Sequence, residues 1–362
     1  MGERRSLQGR PRVRRGPGKR LAASCRGRVG RRPEPRVPRG AASPVQATVS
    51  HSGDGCCATG PGDSVEVPQS CGREGAVTEP HESFPLPGVD LERPSDARVY
   101  DYLLGGTANW AVDREFADRA LAGFPELRDI ASANRQFLHR VVRYLVRRGV
   151  RQFIDIGSGV PHSGHTHQVA DEVAPGATRV VYVDNEPVAV SHTRILVEDN
   201  GDTTRHAVVH ADLRDPDTVW REVGETGVLD LTQPVALLLV AVLHLRQPGA
   251  DDRDLAPSAI ARFRTLIASG SHLVLSHVTD DGVPEGIRRK LARLKQRCDA
   301  CGSPVVWRSR AEIEGLFGQL RLVDPGLTWT PQWHPDHAGP NTRTTRFDTP
   351  GGAAVLAAVG VR

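Results

Sequence analysis

Acidic residues at the ends of short apolar runs are the groups of this chain best suited to hold a ligand. Asp155 lies at the end of a first run, Asp184 ends a second, and Asp212 follows a third. Gly157 and Gly159 come after the first acid, where glycines let the backbone approach a ligand and leave amide N–H groups facing it. The acid after the second strand of an α/β fold typically accepts hydrogen bonds from ribose hydroxyls. The set of three favours a site for S-adenosylmethionine (SAM), whereas each acid taken alone could be a helix N-cap.

The same loop argues against two other kinds of site. A dinucleotide fingerprint needs a third glycine three residues after Gly159, where this chain has His162, so a nicotinamide-dependent oxidoreductase is disfavoured. His162, His165 and His167 lie too close together to surround a metal ion, and no adjacent carboxylate completes a ligand set. We therefore predict no metal site, expect His165 to line a cofactor pocket, and place His167 in the first turn of the next helix.

The elements that must position these acids alternate between strand and helix. The predicted strands are Phe153–Ile156, Arg179–Val183, Ala207–Ala211, Val235–Leu245, His272–Ser276, Leu320–Val323 and Ala353–Val359. The predicted helices after the first strand are His167–Val173, Pro187–Glu198, Pro257–Ile267, Gly286–Cys298 and Arg310–Phe317. This alternation predicts an α/β fold whose mostly parallel, seven-stranded sheet carries helices on both faces. The segment from Trp329 to Pro350, rich in Pro, Thr and His, predicts a long loop.

Helical periodicity precedes the first strand. Apolar residues recur at three- and four-residue intervals from Phe137 to Val146, with arginines between them. Pro125 interrupts the pattern, and Gly149 suits a helix C-terminal cap. We therefore divide the folded part into a helical cap over residues 91–150 and a ligand-binding domain over residues 151–362.

Residues 1–90 differ in composition from the rest of the chain. They contain almost no apolar periodicity and are dominated by Arg, Gly, Pro and Ser, so they bury too little to offset chain entropy. Residues 1–40 contain 14 Lys or Arg and two acidic residues, although the whole chain has a net charge of only +4. We predict a disordered basic tail over residues 1–90, whose first 40 residues bind polyanions weakly and without specificity.

Other features bear on location and redox state. The sequence contains no run of about 18 apolar residues, the length that a membrane-spanning helix needs. The Arg-rich N-terminus also lacks the apolar segment of a secretory signal. Cys298 and Cys301 form a CxxC pair, but no second pair follows at a spacing that would complete a zinc site. We therefore expect a cytoplasmic protein with reduced thiols and no contact with membranes.

Ordered motifs along the folded part resemble those of the S-adenosyl methyltransferase family of high-GC Gram-positive bacteria. The motifs are RPSDARVYDYLLGG (Arg93–Gly106), Asp113–Arg114, ANRQFLHR (Ala133–Arg140), the Gln152–Pro161 loop, YVDNEP (Tyr182–Pro187), ADLRDP (Ala211–Pro216) and VLH (Val242–His244). The resemblance implies a Rossmann-like fold, SAM as the cofactor, and methyltransferase activity. Two positions depart from the family pattern, which usually has Asn at the position of His165 and Glu at that of Gln168.

The resemblance also implies roles for individual residues. Gly157 and Gly159 would form the cofactor loop, Asp184 would contact the ribose, and Asp212 with Leu213 would contact the adenine. Expected beside them are Asp155, Asn185 and His165, together with Tyr102, Gly105 and Gly106 of the stretch Asp96–Trp110 that would cover the cofactor.

Methyl transfer to a hydroxyl benefits from a general base near the acceptor. His244, at the end of the fourth predicted strand, is the first candidate, and His277, after the fifth, is the second. The leading hypothesis is an enzyme that methylates a small molecule, in a pathway of bacterial secondary metabolism. The alternative is a non-catalytic SAM-binding regulator that touches nucleic acid with its basic tail. A homodimer is compatible with the sequence, and no recognisable motif identifies the methyl acceptor.

Overall fold

The longer strands of the sheet distribute their apolar side chains between two separate cores. The computed structural model describes residues 90, 92–160, 164–200, 202–339 and 345–362. Phe153 packs in one core and its neighbour Ile154 in the other, and Ala236 and Leu237 divide in the same way. Since successive side chains of a strand point to opposite faces, there is one hydrophobic core on each face of the sheet.

Helices cover both cores. The strands are β1 (Gln152–Ile156), β2 (Arg179–Asp184), β3 (His206–His210), β4 (Ala236–Leu239), β5 (His272–Val278), β6 (Arg321–Leu322), β7 (Thr328–Trp329) and β8 (Val355–Val361). The α-helices are α1 (Asp96–Leu103), α2 (Ala111–Gly123), α3 (Leu127–Arg147), α4 (Thr166–Asp171), α5 (Pro187–Asn200), α6 (Pro216–Glu225), α7 (Ala256–Leu266), α8 (Glu285–Ala300) and α9 (Arg310–Gly315). Side chains of α3, α4 and α5 enter the core of Phe153, and those of α6, α7 and α8 enter the core of Ile154. The predicted α/β arrangement is therefore confirmed.

The sheet has the strand order β3-β2-β1-β4-β5-β8-β6, with β7 paired to β8. Strands β1 to β5 pair in parallel, whereas β8 runs antiparallel to β5, β6 and β7. The sequence predicts seven strands, and the additional one is β7, at the start of the segment predicted as a loop. The strand order reverses between β1 and β4, which is where ligands bind in sheets of this kind.

The long helix α3 buries the predicted apolar stripe. Val141 and Leu145 are fully buried, and Pro125 lies between α2 and α3, as predicted. After α3, Gly149 has a φ angle of 92°, and the Val150 N–H donates to the Leu145 carbonyl (3.0 Å). This geometry is a glycine-dependent helix cap, so the chain turns directly from α3 into β1.

Strand β4 ends well before the apolar run that predicts it. The sequence predicts a strand over Val235–Leu245, but Ala241 has a left-handed φ angle of 63°. Its N–H donates to the side-chain Oγ of Ser276 in β5 (3.0 Å) rather than to a backbone carbonyl of that strand. Val242 and Leu243 remain buried after this turn, so apolar character alone does not mark the end of the strand.

The predicted basic tail lies outside the described residues, apart from Asp90. The described residues belong to one compact unit, Ala76–Arg362. Within this described part, no helix combines the length and the apolar character that crossing a bilayer requires.

Candidate functional site

A cavity of about 580 Å³ lies at the carboxyl ends of β1, β2 and β4, where the strand order reverses. Its volume is in the range of small-molecule and cofactor sites. Seven predicted site residues line it, namely Asp155, Gly157, Gly159, Asp184, Asn185, Leu213 and His244. Six others do not, namely Tyr102, Gly105, Gly106, His165, Asp212 and His277. The structure thus brings the glycine loop and two of the three acids together.

The glycine loop after β1 has a backbone conformation that favours glycine. Gly157 and Gly159 have φ angles of 69° and 65°, in the left-handed region. A Cβ on Gly157 would lie 2.6 Å from Val242 Cγ2, so the loop packs directly against the segment after β4. A Cβ on Gly159 would meet no atom within 4 Å. That part of the loop therefore borders open space that a ligand can occupy.

Asp184, at the end of β2, connects the glycine loop to the next loop. Its Oδ2 accepts a hydrogen bond from the Gly159 N–H (2.8 Å), and its Oδ1 accepts one from the Glu186 N–H (2.9 Å). Burial raises the pKa of Asp184, and these backbone hydrogen bonds oppose the rise. A carboxylate oxygen has two lone pairs, so Asp184 can accept a ligand hydroxyl without breaking either bond.

Asp155 is held in a buried position at the end of β1. Its side chain accepts a hydrogen bond from Thr166 Oγ1 (2.7 Å). Burial raises the pKa of Asp155 to about 6, although the bond from Thr166 and the positive charge of Arg135 lower it. A cationic ligand in the cavity would lower this pKa further, because an opposite charge favours the ionised form.

Asp212 is bound by its own loop and does not border the cavity. The Arg214 side chain donates to both carboxylate oxygens (3.0 and 2.9 Å), and Asn185 Nδ2 lies 3.4 Å from one of them. Burial would raise the pKa of Asp212, but the hydrogen bonds from Arg214 outweigh it and the pKa is lowered. Of the predicted adenine contacts, the structure places Leu213 on the cavity wall and Asp212 beside it.

The glycines after α1 form a tight turn toward α2. Gly105 has a φ angle of 86°, and a Cβ on Gly106 would lie 1.8 Å from Asp101 Oδ1. The Tyr102 hydroxyl donates to Asp118 (2.8 Å). These three predicted cofactor contacts therefore shape the turn and do not line the cavity.

A buried ion-pair network fixes the N-terminal helices beside the cavity. Arg98 of α1 is buried, and it donates from Nε to Asp113 Oδ2 (2.7 Å) and from Nη1 to Glu186 Oε1 (3.1 Å). Two backbone N–H groups also donate to Asp113. Because Glu186 follows Asp184 by two residues, the network connects α1 and α2 to the loop after β2. Sequence reasoning missed this connection, although all three charged residues lie inside the quoted motifs.

His165 is buried and does not line the cavity. It is the N-cap of α4, its N–H donates to Gln168 Oε1 (3.1 Å), and its Nδ1 has no hydrogen-bond partner among the described residues. Burial, with help from neighbouring positive charges, lowers the pKa of His165 to about 3. His167 lies in the first turn of α4, as predicted, with Nδ1 2.7 Å from the Tyr182 hydroxyl. His162 lies outside the described residues.

The two candidate bases have different surroundings. His244 lines the cavity, and its Nδ1 is buried with no partner among the described residues. His277 is fully buried, with Nδ1 2.6 Å from the Val278 carbonyl and Nε2 accepting from Arg308. Both ring nitrogens of His277 are thus used inside the protein. Burial, followed by the charge of Arg308, lowers the pKa of His244 to about 4, so its ring is neutral near pH 7.

Helices α1 and α8, with the segment after α8, form another part of the cavity wall. Asp96, Cys298, Ser303 and Trp307 lie on this part, together with leucines of α1 and α8. The Trp307 Nε1 is buried without a described partner, and its ring centre lies 6.5 Å from that of His244. This part of the cavity therefore combines apolar walls with polar groups that a second molecule could satisfy.

Three side chains of metal-ligand type come together elsewhere. Single ligand atoms of His334, Asp336 and His337 lie within 4.8 Å of one another. Arg147 Nη1 lies 2.7 Å from His337 Nδ1, and His334 Nε2 lies 2.7 Å from the Asp324 carbonyl. The guanidinium of Arg147 beside this group opposes the binding of a cation. That the chain has no metal site stays a prediction.

A family model described as S-adenosyl methyltransferase matches residues 84–358. The match covers more than half of the chain and includes every residue that lines the cavity. The chain belongs to the S-adenosyl methyltransferase family. It is accordingly a methyltransferase, and SAM is its cofactor.

Two solved structures are similar to this methyltransferase over most of their length. A candidate methyltransferase from Thermobifida fusca YX is 34% identical, with a TM-score of 0.65, and the match covers 77% of this chain and 98% of the other. A DUF574 family protein from Streptomyces avermitilis MA-4680 is 33% identical, with a TM-score of 0.65, over 75% of this chain and 98% of the other. Among curated proteins, none matches this methyltransferase. The two structures confirm the predicted Rossmann-like fold.

Proposed function

We propose that this methyltransferase acts on a small molecule that binds in the part of the cavity formed by α1, α8 and Trp307. The observation that carries the proposal is one continuous cavity with two kinds of wall. A glycine loop and two buried carboxylates suit the cofactor, and apolar side chains with His244 suit an acceptor. A volume of about 580 Å³ fits small molecules rather than a polymer.

The residues of the glycine loop and β2 hold the cofactor in this proposal. Gly159 leaves space for the close approach of the cofactor, Asp184 and Asn185 accept and donate hydrogen bonds at the ribose, and Leu213 packs beside the adenine. When bound, SAM supplies an electrophilic methyl group on a sulfonium centre. The chain then mainly has to align the acceptor with that methyl group, and alignment alone can lower the barrier by roughly 7–11 kcal/mol.

His244 is the group that takes the acceptor proton in this proposal. Its ring is neutral and its Nδ1 has no described partner, so a hydrogen bond from an acceptor hydroxyl would satisfy a buried polar atom. A base with a pKa of about 4 is weak, because the ideal base titrates near the working pH. An acidic acceptor hydroxyl, such as that of a phenol, suits such a base better than the hydroxyl of an aliphatic alcohol.

Cofactor choice is tested by thermal unfolding of the full chain with SAM, S-adenosylhomocysteine, NAD or NADP. A ligand that binds only the native state raises the apparent stability, so the two adenosyl compounds should raise the midpoint and the nicotinamide compounds should not. A rise with NAD alone would contradict the cofactor assignment.

The acceptor class is tested with SAM that carries a radioactive methyl group. Incubation with a fractionated pool of small molecules should label phenolic compounds, and His244→Ala should reduce this labelling on the order of 10²- to 10⁴-fold with little change in SAM affinity. His337→Ala, a change outside the cavity, is the control. Label found only in protein or nucleic acid would overturn the proposal, and unchanged labelling in His244→Ala would remove this residue from the mechanism.

A further inference from the structure

A second cavity, of about 510 Å³, lies at the amino-terminal ends of the parallel strands, whereas the first cavity lies at their carboxyl ends. The first residues of β1, β2 and β5 line it, together with the turns that precede these strands. Its lining residues are Arg148, Gly149, Val150, Arg151, Gln152, Ala177, Arg179, Gln233, Pro234, Gly270 and His272. None of the predicted site residues, and none of the residues that line the first cavity, belongs to this set.

The lining of this second cavity is basic. It contains three arginines and a histidine but no aspartate or glutamate. Arg148, Arg151 and Arg179 form no ion pair with any carboxylate of the described residues. Arg151 Nη1 donates to the carbonyls of Val146 (2.7 Å) and Val150 (2.9 Å), which orients its guanidinium and leaves its charge uncompensated.

The other two arginines are also held by uncharged neighbours, Arg179 by backbone carbonyls and Arg148 by an aromatic ring. Arg179 Nη1 donates to the carbonyls of Thr204 (3.2 Å) and Val228 (3.4 Å). The guanidinium of Arg148 lies 4.3 Å from the ring centre of Tyr144. Stacking and carbonyl bonds restrict a guanidinium without neutralising it, so the positive charges of three exposed arginines border one cavity.

His272, which lines the same cavity, has a polar atom without a hydrogen-bond partner in the described part of the chain. Its Nδ1 is buried and has no hydrogen-bond partner among the described residues. Burial lowers the pKa of His272, and the charges of Arg148 and Arg321 lower it further. The surroundings of this ring therefore have a positive potential that an anion would relieve.

We propose that this second cavity binds the phosphate group of a small soluble molecule. Arginine matches phosphate oxygens with two parallel N–H donors, and three arginines can engage a phosphate from several sides. The volume of about 510 Å³ accommodates a phosphate ester as well as free phosphate. A phosphate ester and free phosphate present the same group to the arginines, and the choice of probe distinguishes between them.

The test is calorimetry on the full chain, saturated with S-adenosylhomocysteine so that the cofactor cavity is blocked. The probes are pyrophosphate, inorganic phosphate, ribose 5-phosphate, ribose and a short DNA duplex, at low ionic strength. Pyrophosphate and ribose 5-phosphate should bind and ribose should not. Ribose 5-phosphate binding more tightly than inorganic phosphate identifies an ester as the ligand, and the reverse order identifies free phosphate.

Single substitutions locate the binding site. Arg151→Gln and Arg179→Gln should each weaken pyrophosphate binding at least tenfold while SAM binding stays unchanged, which also shows that the variants fold. The control is Arg221→Gln on the surface of α6, where Arg221 pairs with Glu225 (2.9 Å). Absence of phosphate binding, an equal loss in the control, or binding to duplex DNA alone would overturn the proposal.

Discussion

Replacing Asp155 by Asn removes a buried negative charge and keeps the shape of the side chain. Its pKa is about 6, against an ordinary value of 3.8, so folding raises the pKa by about two units. At pH 8 this shift corresponds to about 3 kcal/mol of stability lost by keeping the carboxylate ionised in the folded chain. The amide oxygen of the variant can still accept the hydrogen bond from Thr166. We therefore expect Asp155→Asn to raise the free energy of unfolding by about 1–3 kcal/mol at pH 8.

The pH dependence of this gain has a definite sign. Because the pKa of Asp155 is higher in the folded than in the unfolded chain, the wild type becomes more stable as the pH falls from 8 through 6 toward 4. The variant lacks this titration. With the two pKa values above, the difference between variant and wild type should shrink by about 1.4 kcal/mol between pH 8 and pH 5.

The assay is urea unfolding of both proteins at pH 8 and pH 5, followed by tryptophan fluorescence. Asp230→Asn is the matched control, since Asp230 is exposed and its pKa is lowered by hydrogen bonds from Thr232. No gain is expected there. A stability difference for Asp155→Asn that is zero at pH 8, or equal at the two pH values, would refute the reasoning. SAM affinity of the same variant should fall, because the cavity loses a negative charge.

Asp184→Asn is expected to weaken SAM binding by roughly 1.5–3 kcal/mol, since a charge-assisted hydrogen bond is lost, and wild-type affinity by calorimetry would contradict the assignment. Gly157→Ala should mainly lower the free energy of unfolding, because its Cβ would strike a side chain. Gly159→Ala should cost only about 1–2 kcal/mol of stability but weaken SAM binding. A larger loss of SAM binding in Gly157→Ala and a larger loss of stability in Gly159→Ala would argue against the loop geometry. Iodoacetamide should alkylate Cys301 before Cys298, because burial raises the pKa of Cys298 to about 12 and the thiolate is the reactive form. Peptide mass spectrometry reports the order.

The local patterns of the sequence predicted most elements correctly. The apolar stripe of α3 and the glycine cap at Gly149 depend on neighbouring residues only, and both are confirmed. Helix α6 was missed although its signals are local, since Asp215 accepts from the Thr218 N–H and Pro216 occupies the first turn. A closer reading of this Asp-Pro pair would have predicted the helix.

Other features depend on contacts that no local pattern contains. Arg98 and Glu186 are 88 residues apart, and each looks like an ordinary surface charge in the sequence. Ser276 and His277 are neighbours in a strand that is buried on both faces, so alternation could not tell which one faces the cavity. In the structure Ser276 lines the cavity and His277 does not. The difference between them is decided by packing on the two faces of β5.

Arg98 makes the integrity of the proposed cofactor cavity depend on a helix that precedes the sheet. A version of the protein trimmed past α1 would keep every strand of the sheet, yet Asp113 and Glu186 would lose their shared counterion. Without this counterion the two carboxylates would repel each other, and water would enter to solvate them. Shortened variants should thus lose the pocket before they lose the sheet, which makes α1 the practical N-terminal limit of a functional fragment.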